Sequence, residues 1–523
     1  MFLLKQINRR FILLFLLFVF SLPAIFALFN SGFLVTDDGD WMVIRFSAFY
    51  SALRDGQFPV RFLSQLNYGY GYPVSNFLYP GFMYLAAPIH ALGFDLLQTI
   101  KIIFGFAFVS SGIFTFLWLS KLFKKEAAFF GALLYIYAPY HVYDFYVRGS
   151  IGELLALAVM PFLLWQIERG SFLFITLGIA GLILSHNTLA VLFLPVIILY
   201  LLLDILIATR KRKLAIRYFA ILLLGFSLSA FFSVPAIFEL HHTIFSQTIV
   251  SNFQEYFADY NLVGISTFLI FCITIGYFVA GKEKISKHRL AILFLLIGIT
   301  SLVLALPFSL QLWKLLPVSF VQFPYRFLSI TILCAAFLLA FILSSLSKKK
   351  IIIVGIVFIL LTALGSKQYI LPKGFSGHAD PFYATNEATT TVHDEYMPKW
   401  VQEQPLKHTK NKVEVIKGKA TINALSYNSK NIVFVSDSQT ESTLRINTIY
   451  YPGWQAYLND RKIVVDYSNK FGVIDIAIPA GKNQVWLRFE ETPLRVFADT
   501  VSLFGLIALT SFSIVRIKNK SLI

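Results

Sequence analysis

Runs of mainly apolar residues, each about 17 long or more, recur along this chain, and that is the length a helix needs to cross roughly 30 Å of hydrocarbon. They lie near 11–29, 99–119, 126–143, 150–168, 171–186, 188–208, 216–238, 262–280, 290–306, 326–345, 350–366 and 498–515. About twelve transmembrane helices are therefore expected, in a mainly α, polytopic membrane protein. Composition agrees: 523 residues that are 57% hydrophobic and 14% charged, with a mean hydropathy of +0.70, exclude a soluble globular fold. The first run, in "NRRFILLFLLFVFSLPAIFALF", is long enough to span and lacks a convincing cleavage site, so it reads as a membrane helix rather than a removable signal. Cys272 and Cys334 each sit inside an apolar run, so no disulfide framework is implied.

Charge fixes the expected orientation. The net charge of +17 comes from short clusters between apolar runs, not from a basic face, so nucleic acid is not the expected partner. One further apolar stretch, 78–97, is ambiguous because it carries Pro80, Pro88 and His90. If it crossed, Lys121, Lys124, Lys125 and "RKRK" at 210–213 would face outward. If it lies at the interface as a surface or re-entrant helix, those residues join Arg9, Arg10, Arg169, "GKEKISKHR", "SKKK" and "RIKNK" in the cytoplasm. The second arrangement predicts a multi-pass plasma-membrane protein with both termini cytoplasmic. Three parts are expected: a membrane domain over 1–366 with outer loops and interfacial helices at 30–98, an extracytoplasmic β-rich domain over 367–497, and a last span with a basic tail over 498–523. Alternation in "STLRINTIYY", "GVIDIAI" and "QVWLRFE", with turns at "PGW", "LNDRK" and "PAGKN", predicts that the β-rich domain is sandwich-like. A structural lid and a sugar-binding module are both compatible with it.

With that parity the outer face collects most of the non-lysine polar chemistry. "VTDDGDWMVIRF" crowds Asp37, Asp38 and Asp40 just after the first span. An ionised carboxylate beside a membrane is costly unless paired or hydrated, and the plainest reading is that these acids cap the helix starting at "WMVIRF". The loop runs on through Arg45 and into a stretch dense in Tyr, Asn, Gly and Pro, including Tyr70, Tyr72, Asn76 and Tyr79; it suits sugars, by stacking and amide hydrogen bonds, or simply forms an interfacial aromatic belt. The next outer loop, "YHVYDFYVRGSIGE", offers Asp144, Arg148 and Glu153. "LSHNT" places His186 and Asn187 at the outer end of a span, "PAIFELHHT" adds Glu239, and "VQFPYRF" puts Arg326 where a phosphate would be met, or where an ordinary interfacial arginine would sit. These residues, from Asp40 onward, are the candidate substrate contacts. No P-loop, GxGxxG, GxSxG, HExxH or CxxC pattern is present, which argues against a cytoplasmic nucleotide donor.

The combination "TDDGDWMVIRFSAFYSALRDGQFPVRF", "GYGYPVSNFLYPGFMYL", "LSHN", "QFPYRF" and "YYPGWQAYLND...IPAGKNQVWLRFEETPLR" resembles bacterial membrane proteins of the GT-C glycosyltransferase superfamily, in the branch labelled "6-pyruvoyl-tetrahydropterin synthase-related". The resemblance covers nearly the whole chain. It implies a GT-C-like fold and an inverting transfer of a sugar from a polyprenyl-phosphate donor to an extracytoplasmic glycan, lipid or protein acceptor. It also implies an acid of the first outer loop as general base or acceptor-orienting group. Asp38, in the "DG" pair, is the first candidate, Asp37 the second, and Asp144 matches the second-loop acid. Asp37 stands where the branch pattern has His, so two adjacent acids can share a proton here. The implied donor is lipid-linked; the resemblance fixes no cofactor, because some relatives use a metal and others do not, and the clustered acids leave a divalent cation such as Mg or Mn open. A flippase or transporter of lipid-linked saccharide, and a non-catalytic envelope-assembly protein on the same fold, are the alternatives.

Overall fold

The computed structural model describes residues 2–247, 252–281, 288–315, 319–385 and 388–521. Each of the apolar runs holds a helix: Phe2–Ile25, Leu96–Leu122, Lys125–Tyr137, Ile151–Arg169, Phe172–Ser185, Asn187–Ile207, Lys211–Phe238, Ile265–Val279, Arg289–Ala305, Leu328–Ser344, Lys348–Ser366 and Pro493–Ser521. Among the described residues, eight helices are long and apolar enough to cross a membrane, or nine if Arg289–Ala305 and Pro307–Leu315, bent by 86°, make one span. Three of the expected twelve fall below that length: Lys125–Tyr137, Phe172–Ser185 and Ile265–Val279 have 13, 14 and 15 residues, against the ~20 that span the full hydrocarbon thickness at 1.5 Å each. The basic loop "GKEKISKHR" falls largely outside the described residues.

Helix Leu328–Ser344 runs through the middle of the bundle, almost wholly buried, and Phe337 stacks on Phe294 with centroids 4.2 Å apart and Trp118 beside both. The peripheral helices are the reverse. Phe219, Leu364 and Phe504 are 67%, 69% and 66% exposed on long helices whose backbones are internally satisfied, and apolar surface on that scale belongs in lipid. The ambiguous stretch at 78–97 forms helix Gly81–Ala91; 11 residues rise about 16 Å, too short to span.

The C-terminal β region holds strands β3 (Val413–Lys417), β4 (Ala420–Tyr427), β5 (Asn431–Ser438), β6 (Ser442–Ile449), β7 (Trp454–Leu458), β8 (Arg461–Ile463), β9 (Val473–Ile478) and β10 (Gly481–Phe489), after the short β1 (Phe33–Leu34) and β2 (Phe375–Ser376). They form a five-stranded sheet, β4-β5-β10-β7-β8, and a three-stranded sheet, β3-β6-β9. Alternation along β10 buries Val485, Leu487 and Phe489 and exposes Gln484, Trp486 and Arg488, as period-2 geometry requires. β1 pairs with β2, Phe33 opposite Ser376, so the first loop is hooked to the lead-in of the β region.

Candidate active site

Two loops set the first acids in place. Asp37 and Asp38 donate their backbone N–H groups to the carbonyls of Val147 and Arg148, both at 2.9 Å, so residues 36–38 lie along 147–149. The pairing requires Gly149: its φ is +65°, and a Cβ there would stand 2.1 Å from the Thr36 hydroxyl oxygen. Thr36 Oγ1 in turn accepts the Gly39 N–H at 3.0 Å and starts helix Gly39–Arg54. The expected acidic cap is therefore corrected: Asp38 occupies the cap position, but its side chain makes no capping bond. That frees the Asp38 carboxylate to face Arg148, whose Nη2 lies 3.6 Å from Oδ2.

At the centre sits Glu153, 0% exposed near the start of helix Ile151–Arg169. Its Oε1 accepts from Arg326 Nε at 2.9 Å and Arg148 Nη2 at 3.4 Å, and its Oε2 from the Tyr140 hydroxyl at 3.0 Å. His186 Nε2 is 3.7 Å away, while its Nδ1 accepts the Leu189 N–H at 3.2 Å. Burial chiefly, against the pull of Glu153 and with help from Arg326 and Arg148, lowers the His186 pKa to about 3, so the ring is neutral. Arg326 is delivered by the turn Pro324–Phe327, and its other bonds, to Val321 O at 2.9 Å and Gln322 Oε1 at 3.2 Å, fix its fork. Arg148 donates to the Tyr325 hydroxyl, and both guanidiniums lie over the Phe323 ring, at 5.0 and 4.7 Å. One buried carboxylate thus holds two arginines side by side.

Asp144 opens the π-helical turn Asp144–Arg148, a wider turn closed by the Gly149 N–H to Asp144 O bond at 2.9 Å. Its carboxyl is fully buried and neither oxygen has a hydrogen-bond partner among the described residues. Burial, reinforced by Glu153 and opposed by Arg148 and Arg326, holds its pKa well above the carboxylate range. Asp37, whose tip still reaches solvent, is raised chiefly by partial burial, against the pull of Arg148 and Lys373.

Other candidates lie elsewhere. Asp40 accepts from Tyr383 at 2.9 Å and Ser376 at 3.1 Å, locking β2 and the chain that follows it onto helix Gly39–Arg54. Arg45 is spent on Thr390, through Nε to Oγ1 at 3.2 Å and through Nη2 to the carbonyl. The Tyr72 hydroxyl bonds Thr391 and the Tyr396 N–H, both at 2.8 Å, and the Tyr70 carbonyl accepts from Ile449. Asn76 donates to Glu239 at 2.7 Å within a second network in which Arg495 grips Glu239 at 2.8 and 3.1 Å, with Tyr451 and Thr492. Asn187 holds the Phe77 carbonyl at 2.7 Å. Tyr79 is the exception: its ring lies against His186, centroids 4.6 Å apart, in the space that Gly152 leaves without a Cβ.

Three residues went unmarked in the sequence: Arg495, Arg61, which is buried against Asp499 at 2.7 Å, and Glu395. Arg61 in "FPVRFL" and Arg495 in "PLRVF" are flanked by apolar residues, and only their burial singles them out. Among the described residues no group of three or more His, Cys, Asp or Glu side chains is gathered as a metal ion would need, and Asp38 and Glu153 face arginines.

Long lipid-facing helices carrying a β region at one end, with a buried polar centre beneath it, define a polytopic membrane protein. The chain belongs to the membrane-protein family described as "6-pyruvoyl-tetrahydropterin synthase related domain", whose model matches residues 77–370. A protein of Lactococcus lactis subsp. cremoris (strain MG1363), described as uncharacterized, is 28% identical over 261 residues, covering 46% of this chain and 42% of the relative, so under half of that relative's length is spanned. Among solved structures, the oligosaccharyltransferase AglB of Archaeoglobus fulgidus, in complex with an inhibitory peptide and a dolichol-phosphate, aligns at 12% identity with a TM-score of 0.40, covering 73% of this chain and 56% of that one. The arabinofuranosyltransferase AftD from Mycobacteria aligns at 15% with a TM-score of 0.42, covering 70% and 27%.

Proposed function

We propose that this protein is an inverting, membrane-embedded glycosyltransferase that moves a sugar from a polyprenyl-phosphate donor to an extracytoplasmic glycan, lipid or protein acceptor. The observation that carries the reading is the pair of guanidiniums, Arg326 and Arg148, fixed by one buried carboxylate beside further acids. A phosphate leaving group needs countercharge as the glycosidic C–O bond breaks, and a guanidinium supplies it through hydrogen bonds in a water-poor site. A hydroxyl acceptor needs a carboxylate within about 3 Å to take its proton. Asp38, partly open to solvent and 3.6 Å from Arg148, is assigned that role, with Asp37 beside it and Asp144 as the buried member of the group. In-line displacement then inverts the anomeric carbon: the acceptor oxygen bonds to it, the phosphate departs with the electron pair, and the proton rests on Asp38. The sequence resemblance to the GT-C superfamily supports the same chemistry.

The reading includes the topology drawn from the basic loops: twelve crossings counting the short helices, both termini cytoplasmic, the site and a sandwich-like domain over 367–497 outside, and the membrane domain over 1–366. The test is transfer in reconstituted vesicles supplied with a polyprenyl-phosphate sugar. Asp38→Asn should remain folded and lose about 10²–10⁴-fold in rate. Full activity in that variant removes Asp38 from the mechanism, and movement of the lipid-linked sugar without a new bond would make the protein a flippase instead.

A further inference from the structure

We propose that the outward face of the five-stranded sheet carries a carbohydrate-binding site, in which a cavity walled by Trp486, Tyr457, Gln484 and Asp460 takes one uncharged hexose unit of a glycan chain. The site is separate from the arginine pair, and its ligand binds whether or not the transfer reading holds; under that reading it would hold a glycan acceptor by a unit that does not react.

Period-2 alternation gives this sheet two unlike faces. Phe434 of β5, Ala456 of β7 and Val485 and Leu487 of β10 are buried on the inner one. On the other, Trp486 of β10 lies opposite Val433 of β5 and Tyr457 of β7, and Gln484 follows two residues away on β10. Trp486 is 37% exposed, although folding normally covers most of so large a ring. It is nonetheless fixed. The indole N–H donates to Asn431 Oδ1 at 3.2 Å, and the Arg488 guanidinium lies over the ring, 5.7 Å from its centroid. The Tyr457 ring, 6.1 Å away and inclined at 42°, is held by its hydroxyl, which donates to Glu490 at 3.0 Å. Two aromatic walls thus stand at a set angle.

The turn between β7 and β8 supplies the polar wall. Asn459 and Asp460 have φ of +47° and +64°, the left-handed pair of a tight hairpin turn whose second position glycine fills most readily. Asn459 is committed to β10, donating its backbone N–H to the Gln484 carbonyl at 2.9 Å and accepting the Gln484 N–H on Oδ1 at 2.8 Å. Asp460 is thereby set near Gln484. The carboxylate of the one and the side-chain amide of the other have no hydrogen-bond partner among the described residues. With Val433 and the two rings they enclose about 240 Å³.

These groups match a sugar. The C–H groups on a pyranose face carry slight positive charge and settle on the negative faces of aromatic rings, while its hydroxyls donate to the carboxylate and both donate to and accept from the amide. A carboxylate that only accepts disfavours an anionic unit. The volume lies below the ~300–1,000 Å³ of clefts for drug-sized ligands, so one ring enters and the rest of the chain stays outside. A protein partner fits worse. β10 is paired on both sides, by β5 and β7, so no strand can be added to it, and the rings are bordered by the polar Asn431, Gln455 and Lys462 rather than by an apolar interface core.

The test titrates the full chain in nanodiscs by calorimetry with maltohexaose, cellohexaose, mannohexaose and chitohexaose, and with hexagalacturonate as the anionic probe. At least one uncharged probe should bind with a millimolar or lower Kd, and hexagalacturonate about tenfold more weakly or not at all. Trp486→Ala should weaken binding of that uncharged probe about tenfold or more. Asp460→Gly suits the left-handed turn at least as well, so it should keep the parental unfolding midpoint and still weaken binding about tenfold. Lys482→Ala, exposed on the same strand, and Asp38→Asn should bind as the wild type does. The site is refuted if no uncharged probe binds, if the anionic probe binds best, or if Trp486→Ala and Asp460→Gly both bind like their parent. Loss of binding in Asp38→Asn with retention in Trp486→Ala would put the glycan in the membrane domain instead, and a dimer that Trp486→Ala dissolves would make this face a contact between copies; either overturns the proposal. Normal binding in a wild type that transfers no sugar leaves this site standing and removes the transfer reading.

Discussion

Replacing Glu153 tests whether one carboxylate organises the site. Its side chain is 0% exposed, Arg326 and Arg148 are 6% and 7% exposed, and both converge on Oε1 at 2.9 and 3.4 Å. Glu153→Ala leaves two guanidiniums buried without a counter-ion, and breaking such a pair from one side costs about 3–5 kcal/mol. That is a large share of a total stability on the order of 5–15 kcal/mol. Glu153→Gln keeps one acceptor oxygen for Arg326 and sets an NH2 where Oε2 accepts the Tyr140 O–H, so it should cost less, about 1–3 kcal/mol. Arg326→Ala alone strands the acid in turn, whereas the double variant Glu153→Ala/Arg326→Ala removes both charges. The double variant should therefore be less destabilised than the sum of the single variants, by about 1.5–3 kcal/mol. The assay is unfolding of the purified full chain along a denaturing-detergent series, followed by intrinsic fluorescence. A Glu153→Ala variant within about 0.5 kcal/mol of its parent, or an additive cycle, would refute the claim that Glu153 anchors both arginines.

Gly149→Ala should lose about 1–3 kcal/mol and most function, because a Cβ would meet Thr36 Oγ1 at 2.1 Å at a φ of +65°; near-parental stability in the same detergent series would show that the two loops are not so tightly paired. Arg495→Ala, which unpairs the buried Glu239, should destabilise by about 3–5 kcal/mol and speed proteolysis within residues 413–489; an unchanged cleavage rate argues that this network does not tether the β region. Because Glu395 is raised from 4.5 to about 7 in the fold, the folded state binds more protons there, and its contribution is lost as pH rises across that window. Glu395→Gln should therefore flatten the stability profile between pH 4.5 and 7 by at most about 3 kcal/mol, and identical profiles would contradict the burial of that carboxyl. With Cys272 and Cys334 replaced, an impermeant maleimide on intact cells should label Val464→Cys and spare Lys211→Cys; the opposite pattern inverts the topology.

The helices and strands were legible because each follows from a local rule. Apolar runs become helices, and "QVWLRFE" alternates in sequence as β10 alternates in burial. Span lengths were less legible: the run at 126–143 breaks at Pro139 into two helices, and the run after 289 turns through 86° at Pro307. In the site, Asp38, Arg148, Glu153, His186 and Arg326 come together from four loops and a helix start. Ionisable residues at the ends of greasy helices stood out in the sequence for that reason. The sequence did not distinguish these from Asp40, Arg45, Asn76 and Glu239, which are the same residue types in the same loops but are consumed in fastening the β region and its lead-in. Nor did it mark Glu395, which lies in a polar segment where an acid is unremarkable until that segment docks. Pairing across more than three hundred residues is a property of tertiary structure, and no periodicity encodes it.

The most direct measurement is a structure of the full chain with a polyprenyl-phosphate analogue bound in a lipid environment. The phosphate should lie within about 3.5 Å of the Arg326 or Arg148 guanidinium, with Asp38 open toward the sugar side. Its appearance at the opposite, lysine-rich end of the bundle, near Lys124 or Lys211, would contradict the account.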